Sequence, residues 1–277
     1  MKENKLINNL YQGDSLSLLK RMNELDYKVD LVLTSPPYNN SRSGDSQETR
    51  DKHSGNKYDV YIDQRTDKQY IEWIVSYLAE FDKALSKDGL ILMNLSYAND
   101  STNLVKDVNP NEAMWRLINE IIVNTDFTIA DCIIWKKNNA LPNNVSKNKL
   151  TRIVEFVFVI CRKSELKTFN ANKKVKSESR TGQKYYENMQ NFIEAPNNDG
   201  KVKLNQATFS SDFVSKLLDF YAMDNSVVLD PFMGTGSTAV GVLKSGRGLK
   251  YIGFELSGEQ VEYSKKRVDE FLKSSVN

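Results

Sequence analysis

The sequence predicts an α/β protein: a doubly wound, mostly parallel sheet of seven strands, with helices on both faces and a small insert. Three observations carry this. Short apolar runs rich in β-branched residues alternate with segments whose apolar residues recur at helical spacing. Those runs are continuous rather than alternating, as expected for strands covered on both faces. Residues 226–255 read as strand, glycine turn, helix, strand, a complete βαβ unit near the end of the chain.

Taken in order, residues 9–13 form a short strand ending in Gly13-Asp14, and a helix follows with Leu16, Leu19 and Met22 inward. Residues 29–33 (Val-Asp-Leu-Val-Leu) form a buried strand, broken by Thr34-Ser35-Pro36-Pro37-Tyr38. Residues 39–65 are polar and aperiodic, and a loop of that length in a compact domain is functional or disordered. It is expected to be a mobile loop over the site. Residues 67–85 form an amphipathic helix with Tyr70, Trp73, Ile74, Tyr77, Leu78 and Phe81 on one face. Strands are expected at 89–95, 127–135 and 153–161, the last antiparallel at the sheet edge, with a helix at 112–123. A helix at 210–221 precedes the βαβ unit, and a helix at 257–271 ends the pattern. Periodicity is lost over 163–205, where basic and polar residues surround Tyr185, Tyr186 and Phe192. This segment is expected to be a recognition insert in a main domain formed by 1–162 and 206–277.

Composition narrows the function. The chain has 277 residues and a formal net charge of +2. Its charge is unevenly placed: Lys136, Lys137, Lys147, Lys149 and Arg152 fall in a stretch without an acid, and the region after Arg162 is also basic. Such concentration on a near-neutral protein suits a polyanion. The single histidine, His53, argues against a zinc site or a histidine-based triad. Cys132 and Cys161 lie in apolar runs and read as free buried thiols in a reducing cytoplasm. No run approaches the length of a membrane span, and the first residues lack a signal-peptide core.

Two constellations carry chemistry. In Asp230-Pro231-Phe232-Met233-Gly234-Thr235-Gly236-Ser237-Thr238, the glycines permit a tight turn and close approach of a ligand. Glu255 falls at the tip of the next strand, where an acid accepts hydrogen bonds from ribose hydroxyls. The turn carries an acid and no lysine or arginine, which suits a cationic nucleoside better than the pyrophosphate of a nicotinamide cofactor. An NAD-dependent oxidoreductase is therefore the weaker reading. In Thr34-Ser35-Pro36-Pro37-Tyr38, the prolines stiffen the backbone and supply no N–H, so oxygen acceptors stand beside a flat ring. Ser35 Oγ and the Pro36 carbonyl could accept both N–H bonds of an exocyclic amine, freeing its lone pair for attack.

Together these motifs closely resemble the amino-methylating DNA methyltransferases that use S-adenosylmethionine. With the catalytic motif first and the cofactor motif last, the chain is similar to their permuted β group. The resemblance implies catalytic roles for Ser35, Pro36, Pro37 and Tyr38. It implies cofactor contacts from Asp14 (to the adenine), from Phe209 (near the methionine moiety), from Asp230, Pro231, Phe232, Gly234, Thr235, Gly236, Ser237 and Thr238, and from Glu255. Serine at the first catalytic position resembles the cytosine-N4 enzymes, whereas aspartate or asparagine is typical of adenine-N6 enzymes. The implied reaction is direct transfer to a flipped base in double-stranded DNA, without a metal. Lys136, Lys137, Lys147, Lys149 and Arg152 would meet phosphates. A cognate restriction endonuclease is a partner the resemblance leaves open, and no residue pattern decides between monomer and homodimer.

Overall fold

The computed structural model describes residues 6–37, 65–96, 112–140, 142, 147, 150–200 and 208–275. The expected loop at 39–65 lies outside them except for Arg65. The elements run β1 (Asn9–Gln12), α1 (Ser15–Glu24), β2 (Val29–Thr34), α2 (Asp67–Ala84), β3 (Leu85–Leu95), α3 (Ala113–Asn124), β4 (Phe127–Lys137) and β5 (Val154–Arg162). They continue β6 (Val175–Glu178), β7 (Lys184–Tyr186), β8 (Phe192–Ala195), α4 (Ser211–Tyr221), β9 (Val227–Asp230), α5 (Ser237–Lys244), β10 (Lys250–Glu255) and α6 (Gly258–Ser275).

The main sheet has eight strands in the order β1-β10-β9-β2-β3-β5-β4-β8, and β6 and β7 pair as a separate ribbon. The expected count of seven is thus short by one. The eighth strand, β8, comes from within the basic insert and pairs parallel to β4. Only four residues long, with Ile193 and Ala195 buried between exposed neighbours, it shows too little periodicity to stand out in a polar segment. β5 runs antiparallel to both β3 and β4 and lies inside the sheet, not at its edge. Its continuous buried run from Val157 to Cys161 reflects cover on both faces.

Helix ends follow local chemistry. Asp14 caps α1 by accepting from the Ser17 N–H at 2.9 Å. Thr66 and Gln69 form a reciprocal capping box at the start of α2. Ser210 caps α4 through the Phe213 N–H. One face of the sheet packs on α4, α5 and α6 through residues such as Phe213, Val240 and Val268. There, Trp135 stacks on Phe213 with ring centroids 4.2 Å apart. The other face packs on α1, α2 and α3 through Leu19, Phe81 and Ile121.

The placement of β2 beside β9 decides the rest. From β2 the chain winds outward through β3, whereas from β9 it winds the opposite way through β10. The two central strands pair directly, Leu31 with Val228 and Val32 with Leu229. Their C-terminal ends therefore flank the switch point of the sheet, where ligands bind in doubly wound folds.

The packing of α4 on α5 leaves no space at Gly241. A Cβ there would sit 2.4 Å from Val214 Cβ and 2.9 Å from the Ser211 carbonyl. Gly241→Ala is expected to destabilise the protein by about 1–3 kcal/mol, the range for overpacking a tight core. Urea unfolding of the two proteins checks this.

Candidate active site

Asp230 ends β9 with its carboxylate buried. One oxygen accepts from the Phe232 N–H at 2.9 Å and the other from the Thr238 hydroxyl at 2.5 Å. The acid thus closes the glycine turn onto the start of α5. Burial pushes its pKa up to about 7; these hydrogen bonds oppose the shift, and the charge of Glu255 adds to it. Gly234 and Gly236 both adopt positive φ, at 54° and 85°, a region costly for other residues. At Gly236 space is also short, because a Cβ would meet Ser264 Cβ at 3.0 Å.

Glu255 stands at the tip of β10, its two carboxylate oxygens accepting from the Gly234 N–H at 2.8 Å and the Ser257 N–H at 2.9 Å. Burial raises its pKa, and backbone N–H groups oppose the rise. A carboxylate has about four lone-pair sites, so the three N–H groups of Ser257, Gly234 and Leu256 do not saturate it. The β1–α1 turn joins the same edge: the Gly13 N–H donates to the Glu255 carbonyl at 2.9 Å, and the Ser15 hydroxyl donates to the Pro231 carbonyl at 2.5 Å. Asp14 is exposed there, with one carboxylate oxygen engaged by Ser17. Phe232 packs against α2, 5.1 Å from Tyr77 and 5.5 Å from Trp73 between centroids. Phe209 is buried, edge-on to Phe213.

Of the catalytic motif, Pro36 is buried and Ser35 and Pro37 are half-buried at the end of β2; Tyr38 lies outside the described residues. Asp14, Ser35, Asp230 and Glu255 thus gather at one edge of the sheet, as their positions after strands implied. Several turn side chains point inward instead. Thr235 is buried, Ser237 Oγ accepts from Arg267 at 3.2 Å, and Thr238 is spent on Asp230. These side chains shape the turn; of the two acids, Asp230 is buried with both oxygens engaged, and Glu255 stays half-buried at its strand tip.

The basic residues divide. Lys137, expected at phosphate, instead ion-pairs with buried Glu155, which also accepts from Asn94 at 2.8 Å, and lies 5.1 Å over the Trp135 ring. Its position at the strand tip turns it toward the core face, a direction that charge counting misses. Lys136 pairs with Glu194 and remains partly open. Lys147 is exposed and Arg152 half-buried, while Lys149 lies outside the described residues. The β6–β7 ribbon is exposed along its length and carries Lys174, Lys176, Arg180 and Lys184 beside Tyr185 and Tyr186. Its base is held to α4 by Asn172 and to β4 by Asn191, which donates to the Cys132 carbonyl at 3.0 Å. Cys132 is half-buried and Cys161 buried; burial pushes both thiols up, which keeps them protonated.

Sequence reading missed Ser264 and Arg267. They lie three apart on α6 and donate to the carbonyls of Gly234 and Thr235, at 2.8 and 3.0 Å. Neither carries a local sequence signal, because the carbonyls they hold belong to a distant element.

An acidic glycine turn and a proline-stiffened acceptor turn, side by side at the switch point of a mostly parallel sheet, define an S-adenosylmethionine-dependent methyltransferase. Residues 230–238 themselves include an acid and no lysine or arginine, and Arg267 meets the turn only from its α6 side, which fits a sulfonium nucleoside on the other. Residues 29–266 match the N6/N4 family of DNA methylases, and the chain belongs to that family. It is 27% identical to the type II methyltransferase M.Cfr9I of Citrobacter freundii, over 94% of this chain and 87% of that one. It is 24% identical to the DNA adenine methyltransferase YhdJ of Escherichia coli, over 94% of this chain and 82% of that one. Among solved structures it resembles the cytosine-N4-specific PvuII DNA methyltransferase, with a TM-score of 0.63 and 19% identity over 95% of this chain and 90% of that one.

The raised pKa of Asp230 has a consequence for stability. Its folded value, about 7, exceeds that of an unfolded aspartate, so the native state holds a proton that the unfolded chain has already lost. Stability from this group is therefore full in acid and is lost as pH rises toward 7. Asp230→Asn is expected to remove that slope, so the wild-type melting temperature falls relative to the variant between pH 5 and about 7.5. Scanning calorimetry across that range checks the sign.

Proposed function

We propose that this DNA methyltransferase transfers the methyl group of S-adenosylmethionine to the exocyclic N4 of cytosine in double-stranded DNA. The observation that carries the reading is the direct pairing of β2 with β9, which sets Ser35-Pro36-Pro37 beside Asp230-Pro231-Phe232. Asp14, Phe209, Glu255 and the backbone of the 230–238 turn would hold the cofactor, which supplies an electrophilic methyl on sulfur. Ser35 Oγ and the Pro36 carbonyl accept the two N–H bonds of the amino group. This localises its lone pair and orients it for attack, and the rigid prolines keep both acceptors in place. The target base leaves the stack at a cost of a few kcal/mol. Serine at position 35 favours cytosine, since the cytosine-N4 enzymes carry it there. An adenine-N6 activity is the second reading, favoured by the similarity to YhdJ along nearly the whole chain.

Lys136, Lys147, Lys149, Arg152 and the basic ribbon form the proposed DNA contacts, with the 163–205 insert as the reader of the target site. Among the described residues no helix is long and apolar enough to cross a membrane. A cytoplasmic setting within a restriction–modification system, with or without a cognate endonuclease, fits the type II methyltransferases to which the chain is similar.

Mass spectrometry of nucleosides from treated duplex DNA is expected to show N4-methylcytosine; N6-methyladenine alone would overturn the base assignment. Ser35→Ala is expected to slow transfer about 10²-fold or more, the scale for deleting one transition-state hydrogen bond. Alanine at Lys174, Lys176, Arg180 and Lys184 together is expected to weaken DNA binding and flatten its salt dependence, by about 0.9 in log–log slope for each phosphate no longer neutralised. An unchanged slope would remove the ribbon from the interface.

A further inference from the structure

We infer that Arg267 is a positioning residue of the methyl-donor site, holding the glycine turn from behind and locking it, through Asp199, to the start of α4. The inference rests on the reading of that turn as the cofactor site. The turn needs such support. Asp230 and Glu255 hold its N–H groups, but its carbonyls at Gly234 and Thr235 face α6 and take their donors from outside the turn. Ser264 takes the first carbonyl and Arg267 the second. From the same nitrogen, Nη1, the guanidinium reaches Ser237 Oγ at 3.2 Å, the first residue of α5. Its other nitrogen, Nη2, ion-pairs with Asp199.

Asp199 faces two ways. Its oxygens accept from the Ser211 N–H at 2.8 and 3.0 Å, at the N-terminal end of α4, where a carboxylate is favoured by the helix dipole. The adjoining residues are Ser210, which caps α4, and Phe209, packed edge-on to Phe213. One planar fork thus connects the turn, the start of α5 and the segment that carries Phe209. The ion pair is largely covered, with 16% of the Arg267 side chain and 24% of the Asp199 side chain exposed. The apolar anchoring of α6 to the sheet comes from other residues, Val261 and Val268, so the polar contacts of Arg267 serve the turn rather than the docking of the helix. Lysine cannot reproduce all of them at once, because a single ammonium lacks the two-sided planar geometry.

The test is calorimetric titration of the full-length protein with S-adenosylmethionine, and separately with duplex DNA, for wild type, Arg267→Met, Arg267→Lys and Asp199→Asn. Arg267→Met is expected to weaken cofactor binding by about tenfold or more, the scale of a lost charge-assisted hydrogen bond. Duplex affinity and the transfer rate at saturating cofactor should change less than about threefold, a split that places the loss in cofactor binding. Arg267→Lys, which keeps the pair with Asp199, should fall between, and Asp199→Asn should weaken cofactor binding in the same direction. Melting curves without ligand establish that each variant is folded; the two milder substitutions carry the test if Arg267→Met is not. Wild-type cofactor affinity in a folded Arg267→Met or Asp199→Asn protein would overturn the inference. So would equal losses in cofactor affinity, DNA affinity and rate, which mark general structural damage. A wild-type protein that methylates DNA but whose Arg267 variants bind cofactor normally refutes only this inference, whereas wild type that binds no cofactor refutes the reading of the turn itself.

Discussion

The pairing of β2 with β9 is the contact on which the site depends. The two strands come from opposite ends of the sequence, yet they exchange backbone hydrogen bonds at the centre of the sheet. Asp30 of β2 pins the junction further by accepting from the Val227 N–H at 2.8 Å, at the start of β9. Because the pairing is parallel, both strands deliver their C-terminal ends to the same edge. The acceptor turn at 34–37 and the acidic turn at 230–236 then become neighbours without any contact between their own side chains being required. The opposite winding of the chain from the two strands leaves a crevice there that neither βα unit makes alone.

That crevice carries an electrostatic cost. Asp230 is buried, and a carboxylate removed from water without enough donors gains a proton instead. The fold gives it the Phe232 N–H and the Thr238 hydroxyl. Glu255 is treated in the same way by the N–H groups of Gly234 and Ser257. Both acids therefore hold the turn together before any ligand is considered, and the same hydrogen bonds fix the turn's backbone. A site built in this manner is preorganised: its shape is set by internal bonds, and the nucleoside proposed to bind there would meet oxygens already in place.

Much of this was legible along the chain. Apolar runs placed seven strands close to their observed positions, and the rule that such folds bind ligands beyond the strand ends brought Asp14, Ser35, Asp230 and Glu255 together. What escaped had a common physical character. β8 was hidden because an edge strand of four residues needs only two buried side chains. The interior position of β5 followed from pairing with β3, which lies some 60 residues earlier in the chain. Lys137 looked like a solvent-facing cation until Glu155, from a neighbouring strand, was seen to draw it inward. Arg267, Ser264 and Asp199 carried no local signal, since what they hold is backbone that belongs to other elements.

The sequence by itself determined the alternation of strand and helix, the two turns and their chemical character, because these depend on residues within a few positions of one another: glycines that allow positive φ, prolines that withhold N–H groups, acids at strand tips. Tertiary structure alone decided the strand order, the face toward which each charge points, and the partners on which the side chains of Ser237 and Thr238 are spent. Those outcomes depend on which partner a buried polar group finds, and a buried polar group takes the donor or acceptor that folding brings near it, however distant in the chain.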